Sequence, residues 1–171
     1  MEFKKIFDKV MELEGGLVLH QNPTEEAETY AGIYRVAHPD WEGWIYIDNK
    51  ETPPIELVED FYKKEYWDNI PLEDPFFKAV LFEYGVNAGL KKAIKIAQAS
   101  VGVLEDGILG PKTKEAIENT DKMTFLALYG LSRVKFYVGL ANSNTSKYNV
   151  YLRGWINRVV NINEWFKEAI K

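Results

Sequence analysis

Glu14 closes an apolar stripe and opens the stretch "ELEGGLVLHQNPTEEAET", which runs from Glu12 to Thr29. The stripe consists of Phe3, Ile6, Phe7, Val10 and Met11, recurring with the period of an amphipathic helix. Glu14 follows Phe7 by seven residues and Phe3 by eleven, so helical geometry sets it within ~20° of that face. Its carboxyl group is expected to point toward a core side or a cleft edge. It also stands at the helix C-terminus, where the backbone dipole disfavours negative charge. Desolvation and dipole both favour the protonated form. A carboxyl group that keeps its proton near neutral pH is what a general acid needs to protonate a glycosidic oxygen. A frayed helix end with Glu14 in water fits the periodicity equally well.

Thr29 follows Glu14 by fifteen residues. Its small hydroxyl could orient a water or one face of a sugar, or simply bond to backbone. Glu25, Glu26 and Glu28 lie between the two, and any one could be a second carboxylate. At least two of the three are expected to be a solvated acidic loop.

The elements that must position these groups read as mainly helical. Gly15 and Gly16 stop the first helix after residues 3–14, and residues 17–29 read as loop, with a turn at Asn22-Pro23. "GWIYID" (43–48) could form a short strand. Pro53-Pro54 opens the helix "IELVEDFYKKEYWDNI", and Asp74-Pro75 opens "FFKAVLFEYGVNAG". "LKKAIKIAQASV" is helical, and "LEDGILGPKT" is a turn feeding a short helix at Pro111. Asp121 starts a long helix to about Ala141, another covers roughly Ser146 to Val160, and "NEWFKEAIK" follows with Asn163 as its expected cap. The fold class is mainly α with a small irregular or β-containing lobe near residues 30–50.

Within "EYGVNAG", Asn87 could donate to an acetamido group and Tyr84, one turn earlier, could stack on a sugar face. Asn87 could equally cap the helix before Gly89. Trp41, Trp44 and Tyr46 suit a groove lining or a small-lobe core. In "DGILGPKT" the turn residues account for the motif structurally, without any ligand.

The whole composition narrows the field. The chain has 171 residues, 46% of them hydrophobic, enough for one well-packed domain or two small ones sharing a core. Its net charge of −5 argues against nucleic acid, which needs a cationic patch. There is no cysteine, and His20 and His38 lack HExxH-like spacing, so thiolate metal sites and a zinc hydrolase are not expected. "MEFKKIFDKVMELEGG" lacks the apolar run of a signal peptide, and no stretch could span a membrane. The expectation is synthesis in the cytoplasm, with any export supplied by another device.

"ELEGGLV" followed by "TYAGI" resembles the signature of family-108 glycoside hydrolases, phage-type N-acetylmuramidases. Their pattern is Glu-Gly-Gly, an acidic Asp/Pro/Gly loop, then Thr-x-x-Gly-Ile. "HPDWEGW" and "FYKKEYWDNI" are similar to the rest of that module. "LFEYGVNAG", "AIKIAQASVGVLEDGILGPKT" and "LRGWINRV" resemble the predicted peptidoglycan-binding module that follows it. The resemblance covers nearly the whole chain. It implies a lysozyme-like helical fold, with residues 1–72 as catalytic module and 73–171 as binding module; with no flexible linker between them, the two are expected to pack as one globule. It implies cleavage of the β-1,4 bond between N-acetylmuramic acid and N-acetylglucosamine, as in a phage or prophage endolysin. Glu14 falls on the family's catalytic acid, and Thr29 would position the attacking water. Tyr30, Tyr84, Asn87 and Trp44 are the candidate substrate-binding residues. Bacterial peptidoglycan is the implied partner and a monomer the expected state, with no metal or organic cofactor. The loop departs from the family's Asp- and Gly-rich pattern, so its supporting aspartate has no counterpart, and Glu25 is the candidate by loop position. The rival readings are a lytic transglycosylase and a non-catalytic wall-binding or secretion-associated protein.

Overall fold

The computed structural model describes residues 1–21 and 26–170, which fall into two compact units, Met1–Asn69 and Ile70–Lys171. In the first unit, helix α1 (Phe3–Leu13) buries Ile6, Phe7, Val10 and Met11, the stripe its periodicity announces. It stops because Gly15 and Gly16 take φ values of 87° and 85°, a conformation that costs glycine little. That turn lets the Gly16 N–H reach the Met11 carbonyl at 2.8 Å.

The chain then forms a three-stranded antiparallel sheet, β1 (Leu19–His20), β2 (Thr29–Tyr30) and β3 (Ile33–Tyr34), in the order β1-β2-β3. Leu19 pairs with Tyr30, and Thr29 pairs with His20 on one side and Tyr34 on the other. The two-residue turn between β2 and β3 is Ala31-Gly32, both with positive φ, which matches the twist of a tight hairpin. So β1 lies inside the stretch that reads as loop.

"GWIYID" is not a strand but helix α2 (Gly43–Asp48). Strand alternation would have buried positions 44, 46 and 48 together. Instead Asp48 is exposed and paired with Arg35, while Trp44 is buried beside Gly43. A side chain at Gly43 would overlap the Trp41 indole, so glycine is required there. Helix α3 (Ile55–Tyr62) continues as a wider π turn, Lys63–Trp67. Tyr62 packs on Phe7 and Trp67 on Phe3, which joins α3 to α1 and makes the core of this unit.

The second unit is all helical among its described residues: α4 (Pro75–Ala88), α5 (Leu90–Val101), α6 (Pro111–Glu118), α7 (Lys122–Ser143) and α8 (Thr145–Ala169). Asp74 caps α4 by accepting from the Phe76 N–H at 2.8 Å, with Pro75 in the first turn where a missing N–H costs nothing. Gln98 of α5 is wholly buried and donates to Asp106 (2.7 Å), the Ile108 carbonyl and Thr113, while its oxygen accepts from Gly107 N–H. That network explains "DGILGPKT" as a folded turn. Asp121 opens α7 through the Thr124 N–H, and Asn144 opens α8 through the Lys147 N–H.

Helix α8 runs unbroken through Asn163, so that residue is no cap. Its side chain lies against Gly130 of α7 and donates to the Leu126 carbonyl at 3.4 Å. Glu83 of α4, fully buried, accepts from Arg133 of α7 (2.7 Å) and Arg158 of α8 (3.0 Å), tying three helices together. Among the described residues no helix is long and apolar enough to cross a membrane.

Candidate active site

Glu14 is the residue that ends α1, with φ −85° and ψ 5°, and its own N–H still bonds to Val10 at 2.9 Å. It is half-buried rather than frayed into solvent. Two phenols from α3 and its π turn stand within its electrostatic reach. Burial raises the Tyr62 hydroxyl far above its ordinary range, with Tyr66 and Glu14 adding to the effect. Burial likewise raises Tyr66, with smaller contributions from Glu65 and Glu14. Both phenols therefore stay neutral at any physiological pH and act only as hydrogen-bonding groups.

Tyr62 also reaches the sheet. Its hydroxyl donates to the Ala31 carbonyl at 2.7 Å, inside the turn that follows Thr29 and Tyr30. A Cβ on Gly32 would come within 2.5 Å of that hydroxyl, so the turn closes on the phenol only because residue 32 is glycine. One side chain thus stands near Glu14 and holds the hairpin that carries Thr29. Thr29 itself is 7% exposed.

The acids between Glu14 and Thr29 separate by environment. Glu28 sits in a network in which Arg35 pairs with both Glu28 and Asp48. Its own backbone N–H, then Arg35, hold its carboxyl below the usual range, so Glu28 stays anionic. Glu26 is exposed. Glu25 lies outside the described residues.

Of the aromatic candidates in this unit, Tyr30 and Trp44 are each 3% exposed. Tyr30 stacks on Trp41 with ring centroids 6.0 Å apart, and Trp44 meets Trp41 edge-on at 5.1 Å. The Trp44 indole N–H donates to the His38 carbonyl at 2.8 Å, and the Arg35 guanidinium covers its ring at 4.9 Å. These rings form the core of the small lobe, the second of the two roles open to them.

In the second unit, Tyr84 is fully buried, edge-on to Tyr129 and Tyr137, with the Arg133 guanidinium 4.2 Å from its ring. Neither face of that ring is open to a sugar. Asn87 is exposed near the end of α4, and its Oδ1 accepts from the Tyr137 hydroxyl at 3.4 Å. It does not cap the helix, whose last turn closes through the Gly89 N–H to Gly85.

Tyr62 and Tyr66 are the neighbours of Glu14 in the candidate site that spacing alone passes over. Their signal was the i, i+4 pair in "FYKKEYW", which reads as one more apolar helix face. Among the described residues, no three His, Asp or Glu side chains gather as metal ligands would.

A short sheet beside a helix ending in a half-buried glutamate, with helices around them, is the architecture of a lysozyme-like hydrolase. Residues 7–89 match the family described as Glycosyl hydrolase 108, and residues 92–160 match the Predicted Peptidoglycan domain. Residues 7–89 thus carry the family-108 glycosyl hydrolase module and residues 92–160 the peptidoglycan module, and together they make the protein a glycoside hydrolase acting on peptidoglycan. The solved structure of Brucella abortus SagA is similar in fold, with a TM-score of 0.74 at 23% identity, over 97% of this chain and 94% of that one. No curated protein matches the sequence.

Proposed function

We propose that this hydrolase is an N-acetylmuramidase that cleaves the β-1,4 bond between N-acetylmuramic acid and N-acetylglucosamine, with Glu14 as general acid. The observation that supports this most is the placement of Glu14. It stands half-buried at the negative end of α1's dipole, beside two neutral phenols, one of which holds the Thr29 hairpin.

In this reading Glu14 gives its proton to the bridging oxygen as that oxygen leaves the anomeric carbon. Water adds to the same carbon and loses a proton to a base, for which Glu25 remains the candidate by sequence position alone. Thr29 orients that water. Asn87, exposed, remains a candidate donor to an acetamido group; Tyr84 does not. The enzyme would act on the wall after release from the cell, as a phage or prophage endolysin does.

Mass analysis of fragments from purified peptidoglycan tests the bond and the reaction together. The proposal expects products carrying one added water and N-acetylmuramic acid at the reducing end. Fragments ending in an anhydro-muramic ring would make the enzyme a lytic transglycosylase. Reducing-end N-acetylglucosamine would move the cut to the other bond.

A further inference from the structure

A groove of ≈ 560 Å³ opens between α5 and α7, with Ile96, Phe136 and Leu140 among its apolar walls and Glu105 and Lys135 at its margins. Its volume is that of a small-ligand site. Every lining residue falls within residues 92–160, the stretch that matches the Predicted Peptidoglycan domain. The walls are fixed from both sides: Ser100 and Ser132 hydroxyls meet at 3.1 Å, and the Tyr129 hydroxyl donates to the Ala93 carbonyl at 3.2 Å. The groove is therefore formed before any ligand arrives.

Two features point to an occupant. Gly139 lies in the interior of α7, where glycine weakens a helix relative to alanine. No turn or positive φ explains it, and a Cβ added there would meet nothing within 4 Å. The missing side chain leaves space in the groove. Glu105 and Lys135 are both exposed, and neither has an ion-pair partner among the described residues. An apolar channel thus offers one unpaired negative and one unpaired positive group.

Glycan would suit this poorly. A sugar needs an open aromatic face, and the groove's aromatic ring, Phe136, is covered by the Lys92 ammonium at 4.3 Å. Peptide fits better. The stem peptides of peptidoglycan combine alanyl methyl groups with a basic amine and carboxylates, the complement of apolar walls, Glu105 and Lys135. We propose that the α5–α7 groove binds the peptide stem of peptidoglycan, with Lys135 taking a carboxylate and Glu105 the amine. This rests on the reading that peptidoglycan is the substrate.

The test is calorimetric and NMR titration of the full chain with a sugar-free stem tetrapeptide containing a dibasic residue, beside a peptide-free glycan oligomer. The proposal expects the tetrapeptide to shift amide resonances of α5 and α7. Lys135→Glu and Gly139→Trp should each weaken its binding at least tenfold. Gly139→Ala should raise the melting temperature and act as the folding control for that position. Both weakened variants should still cut peptide-free glycan at the normal rate. No tetrapeptide binding at millimolar concentration, or binding that both variants leave intact, would overturn the groove assignment. Shifts in this groove from glycan alone would overturn it in favour of sugar. If the unmodified chain degrades whole sacculi in the same experiment, only the groove assignment has failed. If it neither binds nor degrades them, the peptidoglycan reading fails as well.

Discussion

Tyr62 shows how much of a site can rest on a side chain that performs no chemistry. Its phenol is buried against Phe7, stands near Glu14, and donates to the Ala31 carbonyl in a turn that only glycine at position 32 allows. Tyr62→Phe should leave that carbonyl unpaired and cost ~1–2 kcal/mol in thermal or denaturant unfolding. Gly32→Ala should cost more, because the new methyl meets the hydroxyl and the φ of 80° strains alanine. In the Tyr62→Phe background the methyl has room, so the two losses should be less than additive, a coupling that a double-mutant cycle measures. Additive losses would mean that the contact is unimportant. The end of α1 at Glu14 was legible from the helical period and the two glycines that follow it. Tyr62 was not, because nothing local distinguishes a tyrosine that packs from one that bridges two elements.

Helix starts were the most legible feature at the level of elements, because they depend on local chemistry. Asp74-Pro75 and Asp121 announce α4 and α7, and in the structure both aspartates accept backbone N–H bonds. Asn163 has the same composition signal, yet α8 passes straight through it. What decides its role is Gly130 and the Leu126 carbonyl on α7, more than thirty residues away. "GWIYID" failed for a related reason. Its aromatic and β-branched residues favour a strand, but the segment folds as a helix that buries Gly43 and Trp44 and leaves Asp48 free to pair with Arg35. Glu83 was likewise invisible as a buried charge until α7 and α8 supplied its two arginines. Glu83→Gln should destabilise the second unit by ~3–5 kcal/mol, since Arg133 is then buried with no compensating charge. Replacing Glu83 and Arg133 together by leucine should cost less than Glu83→Gln alone. A measured loss below 1 kcal/mol for Glu83→Gln would show that Arg133 finds other partners.

The order of the motifs along the chain carried the broadest inference, a hydrolase module followed by a peptidoglycan module. The short sheet was less legible, since its two-residue strands are too brief for alternation to register. Acid should weaken the second unit in a definite window. Gln98 and the Ile108 N–H hold Asp106 below the ordinary aspartate range, and the Thr124 N–H and hydroxyl do the same for Asp121. At Asp74, burial pushes upward, but the Lys122 ammonium and the Phe76 N–H outweigh it. Groups lowered by folding contribute stability that is fully present above the unfolded value of ~3.9 and lost as pH falls through the folded values. The melting temperature should therefore drop below about pH 4, and Asp74→Asn should flatten that drop. The most direct test of the whole reading is Glu14→Gln, assayed on purified peptidoglycan. The amide keeps the volume of the carboxyl group but has no suitably acidic proton to give. Turnover should fall by at least ~100-fold, the lower end of what a positioned acid contributes. Melting temperature should hold, because the amide keeps the volume and hydrogen-bonding reach of the carboxyl group at the end of α1. Near-normal hydrolysis by a folded Glu14→Gln protein would contradict the assignment of Glu14 as the acid.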